Sequence, residues 1–145
     1  MNMMSKSKEP IGLTRGSGWQ IGLRRTLAVP AALLWDWMLS REGLELWLGS
    51  GPEFPFQAGG EYLLDDGTTG MVRVFQSSSH WRISRQPIDP KYKRASLIQV
   101  RILESGENSV LAFHEEHLPT ESERHIRKAF YLAVMEKIKE RFGAT

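Results

Sequence analysis

The run His114–Glu115–Glu116–His117 sets two imidazoles beside two carboxylates. Such groups bind metals or move protons. A zinc-type site needs three or four converging ligands. On a strand, successive side chains point to opposite faces. His114 and Glu116 therefore share one face, Glu115 and His117 the other. Neither face offers more than two ligands. His125 is the nearest further imidazole, and a loop and a helix cap separate it from the run. No metal is expected.

Proton transfer is the second chemistry. Leu111 and Phe113 share the parity of Glu115 and His117. If the large apolar residues mark the inner face, Glu115 and His117 look inward. Burial would raise the carboxyl pKa, and a histidine titrates near neutrality. The two could then act as base and acid on a keto-type ligand. The preferred reading is structural, because a buried carboxylate needs a charged partner. Arg25 and Arg85 are the candidates for that partner.

Other catalytic patterns are missing from the sequence. Gly49-Ser50-Gly51 and Gly59-Gly60 lack the phosphate-loop and dinucleotide spacings. No serine sits in a Gly-x-Ser-x-Gly elbow. There is no cysteine, which excludes thiolate catalysis and disulfides and fits a reducing, cytoplasmic setting. No cofactor is implied.

Aromatic residues are abundant, with five tryptophans. Trp35, Trp37 and Trp47 read as core. Trp19 and Trp81 fall on expected strands, where an indole can line a pocket and donate a hydrogen bond. The expected ligand-lining set is Trp19, Met38, Phe54, Tyr62, Met71, Trp81, Arg85, Phe113 and Phe130. Around Met71 two parities compete: Met71 with Phe75, or Val72 with Val74.

These residues need elements to hold them. Alternation from Trp19 to Leu27 predicts a strand. Pro30 opens a helix carrying Leu33, Leu34, Trp37 and Met38, with Trp35 on its flank. Ser40 caps a second short helix, Arg41 to Leu48, which Gly49, Gly51 and Pro52 end. Strands follow at 61–65, 70–76, 80–86, 95–103 and 109–117, with Asp66-Gly67 as a hairpin signal. Pro87 and Pro90 force a loop between the fourth and fifth strands of the chain. Thr120 and Glu123 form a capping box for a long final helix. Its apolar face reads as Ile126, Phe130, Ala133, Val134, Ile138 and Phe142.

The resulting fold class is α+β. A curved six-stranded antiparallel sheet grips the C-terminal helix, and two short helices follow the first strand. At 145 residues the chain suits one domain. Residues 1–16 are expected to be a flexible tail and 17–143 the domain. Residues 1–10 lack the apolar core of a secretory signal, and no apolar run is long enough to span a membrane. The net charge is only +2. Arg24–Arg25, Lys91–Lys93–Arg94 and Arg124–Arg127–Lys128 are dispersed, so no nucleic acid is expected as a partner.

Several motifs recur in one order. Pro30-Ala31-Ala32-Leu33-Leu34-Trp35 is followed by Glu42-Gly43-Leu44-Glu45-Leu46-Trp47. Gly59-Gly60, the Gly67–Gly70 turn, His80-Trp81-Arg82-Ile83 and Gln86-Pro87 come next. Ser96 to Ile102, Phe113-His114-Glu115-Glu116-His117-Leu118-Pro119 and the last helix complete the series. The chain resembles the START-like (SRPBCC) superfamily over Trp19 to Phe142. Within it, the chain is similar to the branch containing the C-terminal domain of the activator of Hsp90 ATPase. The resemblance implies a helix-grip fold with a cavity between sheet and helix. Arg85 and Phe130 stand where related sequences often have tryptophan, and Arg85 would bring positive charge to the pocket mouth.

The expected function is a non-catalytic binding module for a hydrophobic or aromatic small molecule. Two alternatives remain: an interaction module acting on an Hsp90-like chaperone ATPase, and a polyketide cyclase or dehydratase using Glu115 and His117.

Overall fold

The computed structural model describes residues 11–14, 18–51 and 53–143. Two strands come first: the short β1 (Leu13–Thr14) and the long β2 (Gly18–Leu27). Helices α1 (Ala31–Met38) and α2 (Arg41–Trp47) follow. Then come β3 (Glu61–Leu63), β4 (Thr69–Gln76), β5 (His80–Arg85), β6 (Ser96–Ser105) and β7 (Asn108–Leu118). The long helix α3 (Glu121–Phe142) ends the fold. No helix among the described residues is long and apolar enough to cross a membrane.

All strand pairs are antiparallel, in the order β1-β2-β7-β6-β5-β4-β3. The helical pair carries the chain from β2 to the far edge, and the meander then returns until β7 pairs with β2. The six expected strands are present, curved around α3. β1 adds a seventh, pairing Leu13 with Trp19 and Thr14 with Gly18. The remainder of the expected tail, 1–10 and 15–16, lies outside the described residues.

The caps behave as the sequence indicates. Ser40 Oγ accepts from Gly43 N, and Thr120 Oγ1 accepts from Glu123 N. Each satisfies a donor that the first helical turn would leave bare.

Two helix faces are turned from expectation. In α1 the buried residues are Leu34, Trp35 and Met38, while Leu33 is exposed. The spacing of three and four residues holds, but its phase begins at Ala31. In α3 the inner stripe is Glu123, Arg127, Tyr131, Val134, Met135 and Ile138, and Ile126 is exposed. Val134 and Ile138 are buried as expected, but the stripe starts with charged residues, so apolar periodicity misplaces its first half.

Bulges settle two parities. β4 slips register between Val72 and Val74. Val72 is buried and Phe75 packs on Trp35, while Arg73 and Val74 are exposed. The inner face thus takes one residue from each competing set. β7 and β2 slip between Trp19 and Ile21, where His117 adopts a left-handed backbone (φ 66°). Alternation stops there, and Leu118 rather than His117 takes the buried position.

Candidate functional site

Buried side chains line the interior between sheet and α3. Tyr131, Val134, Met135 and Ile138 from the helix meet Trp81, Ile83, Ile98, Val100 and Phe113 from the sheet, all buried. The Phe113 and Tyr131 rings stack at 4.6 Å, and Trp81 contacts both Trp35 and Trp47. Met38, Trp81 and Phe113, expected to line a ligand cavity, are buried members of this core. Large aromatic side chains on facing surfaces close the gap that smaller ones would leave. Trp19 and Phe130 are half-buried against this core, and Met71 is half-buried.

The upper part of the interface is polar. Glu115 has no exposed surface. Its Oε1 accepts from Arg127 Nε at 2.7 Å and from the Tyr131 hydroxyl at 2.7 Å. Its Oε2 accepts from Ser96 Oγ at 2.5 Å and Arg85 Nη1 at 3.1 Å. Burial alone would push its pKa up. The charges of Arg127 and Arg85 and the hydrogen bonds from Ser96 and Tyr131 outweigh burial and hold the carboxyl below its usual range. Burial and the neighbouring Glu115 charge raise the Tyr131 phenol.

Arg85 was one of the two expected partners of Glu115. Arg25, the other, is exposed. Arg127 and Tyr131 were not anticipated, because Arg127 looked like part of a surface basic group. The available signal was the spacing Glu123, Arg127, Tyr131, which repeats every fourth residue on one helix face.

His117 does not join this centre. Its Nε2 lies 3.5 Å from Glu116 Oε2, and its Nδ1 is buried without a hydrogen-bond partner. His114 meets Gln20 Oε1 at 2.8 Å and His125 is exposed. The two groups expected as an acid–base pair thus have separate surroundings: four donors meet Glu115, and His117 lies beside Glu116 at the bulge. Among the described residues no three histidines or carboxylates gather as a metal site.

Open space occurs elsewhere. A cleft of about 690 Å³ lies between α2, the segment following it and β3. Leu44, Leu48, Phe54, Phe56, Leu63 and Leu64 supply its apolar walls, and Arg41, Glu45 and Glu53 its charged groups. Phe54 and Tyr62 are the two expected ligand-lining residues that it includes. The segment lies close on β3 because Gly49 and Gly51 carry no side chain. A Cβ at Gly49 would sit 2.9 Å from Leu64 Cδ1, and one at Gly51 would sit 3.0 Å from Leu63 O. Tyr62 forms the inner wall. Its hydroxyl donates to Ser84 O at 2.6 Å, and its ring lies 5.5 Å from that of Phe54. Leu63 and Phe56 remain 56% and 45% exposed, an apolar lining still in contact with water.

Comparison with solved structures places this architecture. Protein CV1439 of Chromobacterium violaceum superposes with a TM-score of 0.72 at 15% identity, covering 87% of this chain and 98% of that one. CalU16 of Micromonospora echinospora gives 0.69 at 16% identity, covering 82% and 72%. The shared fold is a helix grip, a curved antiparallel sheet around a long C-terminal helix. An HSP90 activator of Plasmodium falciparum also shares this helix-grip fold, with a TM-score of 0.60 at 18% identity over 70% of this chain and 75% of that one. No protein-family model matches the sequence, and no curated protein does.

Proposed function

We propose that this SRPBCC-like helix-grip domain is a non-catalytic binding module for a hydrophobic or aromatic small molecule, held in the cleft between α2 and β3. The observation that carries the reading is the cleft itself, about 690 Å³ and walled by leucine and phenylalanine. Its size suits a small organic ligand, and its few charged groups sit among apolar walls, as in many ligand sites. Removing the exposed parts of Leu63 and Phe56 from water would favour binding by the hydrophobic effect.

The test is fluorescence titration with the neutral aromatic dye N-phenyl-1-naphthylamine. The dye should bind, and Leu63→Arg should weaken binding roughly tenfold or more. Leu33→Arg, at an exposed leucine outside the cleft, should leave affinity unchanged. Equal binding by both variants would remove the cleft from consideration.

A second reading is an interaction module for an Hsp90-like ATPase. It draws on the likeness to the Plasmodium HSP90 activator and on the loop 87–94, where Ile88 is 75% exposed. Co-purification with such an ATPase and stimulation of its turnover, both lost on Ile88→Asp, would support it. Absence of binding at high protein concentration would end it.

A further inference from the structure

The loop between β5 and β6 is fastened chiefly by one side chain. Of residues 87–95, only Tyr92 is buried. Its hydroxyl accepts from Arg85 Nη1 at 3.2 Å and donates to Glu123 Oε1 at 2.7 Å. Gln86 Nε2 donates to its carbonyl at 2.8 Å. Lys91 Nζ adds a contact to Glu123 Oε2 at 3.4 Å from a half-exposed position. The Asp89–Tyr92 turn is held locally, with Tyr92 N donating to Asp89 O. Tyr92 also packs in the hydrophobic core, but it is the loop's one buried side chain and most of the polar attachments meet at it. Such a segment opens locally at far lower cost than the sheet beneath it.

What lies under Tyr92 gives the opening a consequence. Arg85 and Arg127 both bond Glu115, through its two different oxygens. With Tyr92 in place, its neutral hydroxyl links Arg85 to Glu123, whose carboxylate also meets Lys91. Lifting the ring disconnects Glu123. Arg85 and Arg127 share the one carboxylate of Glu115 throughout, which leaves one positive charge in excess, and a buried cation without its counter-charge is costly. A guanidinium offers donors in a planar fork that suits a carboxylate or phosphate.

We propose that residues 87–95 form a latch closed by Tyr92, and that beneath it the Arg85–Arg127 pair is a binding site for a compact anion, a carboxylate or a phosphate. None of these residues lines the cleft between α2 and β3, so the latch and the cleft stand or fall separately.

Two variants loosen the latch without removing bulk. Tyr92→Phe keeps the ring and deletes the bridging hydroxyl. Glu123→Gln keeps the side-chain shape and deletes the negative charge. In hydrogen–deuterium exchange, residues 86–96 should exchange about tenfold faster in both variants, as expected for losing a hydrogen bond to a charged group. Amides of β6 and β7 should exchange as in the parent. Sodium acetate and inorganic phosphate are then titrated at constant ionic strength, with acetamide as the neutral control. The Nε–H resonances of Arg85 and Arg127 report binding.

One of the two anions should saturate at about tenfold lower concentration in the loosened variants. Acetamide should have no effect, and Arg85→Gln should abolish the response. The arm that saturates first identifies the anion class. Exchange of 86–96 only together with β6 and β7 in every protein would overturn the latch. Anion responses identical in the parent, Tyr92→Phe and Arg85→Gln would overturn the site.

Discussion

Replacing Glu115 by glutamine removes one charge and almost no volume, so it isolates the electrostatics of the helix–sheet contact. In the folded chain Glu115 has no exposed surface, and Arg127 is only 7% exposed. An amide cannot balance that guanidinium, and its NH2 would face donors where an oxygen now accepts. Breaking a buried ion pair by deleting one partner costs about 3–5 kcal/mol. For a domain of this size that corresponds to a fall in Tm of about 6–20 °C.

Urea unfolding followed by tryptophan fluorescence measures the loss directly. The pH dependence supplies a second check. The folded-state pKa of Glu115 is lowered from an ordinary value of 4.5. Its stabilisation is therefore fully present above about pH 4.5 and is lost as pH falls through the folded value. Glutamine does not titrate. The stability gap between parent and variant should be constant at neutral pH and narrow below about pH 4.5. Adding Arg127→Met to Glu115→Gln should recover part of the loss, because the stranded cation is gone. A Glu115→Gln protein as stable as the parent, or a double variant weaker than the sum of the singles, would refute this account.

Two further substitutions have expected signs that local rules alone would reverse or miss. Gly43→Ala ought to favour a helix by about 1 kcal/mol on propensity. Here the new Cβ would lie 2.1 Å from Trp37 O and 2.9 Å from Met38 Cα, so urea unfolding should instead show a loss of about 2 kcal/mol or more. His117→Gly should change stability by less than about 1 kcal/mol, since relief of the left-handed backbone offsets the lost imidazole contacts. A loss well beyond that by thermal unfolding would mean that the side chain, not the bulge, matters at this position.

The order of elements was legible in the residues. Alternation marked the strands, Ser40 and Thr120 marked helix starts, and Asp66-Gly67 marked a turn. All of these are local signals, set by backbone sterics and by hydrogen bonds within a few residues. The inward direction of Glu115 was legible too, because Leu111 and Phe113 precede it on an unbroken strand. His117 was not, since one bulged residue shifts every side chain after it and nothing in the run His114–His117 announces a bulge. The same holds for Val72 and Phe75.

Partnership and empty space depended on tertiary structure. Arg127 lies twelve residues from Glu115, and Arg85 thirty, so only the docking of α3 onto the curled sheet brings them to one carboxylate. Whether the grip holds a void is likewise a matter of volume. Trp81, Trp47, Phe113 and Tyr131 could have walled a cavity or filled one, and composition is the same in both cases. Their rings meet in the interior, while the open cleft forms where glycines let residues 49–51 approach β3. Local propensity acts along the chain, but cavities and ion pairs arise between segments that the chain brings together only on folding.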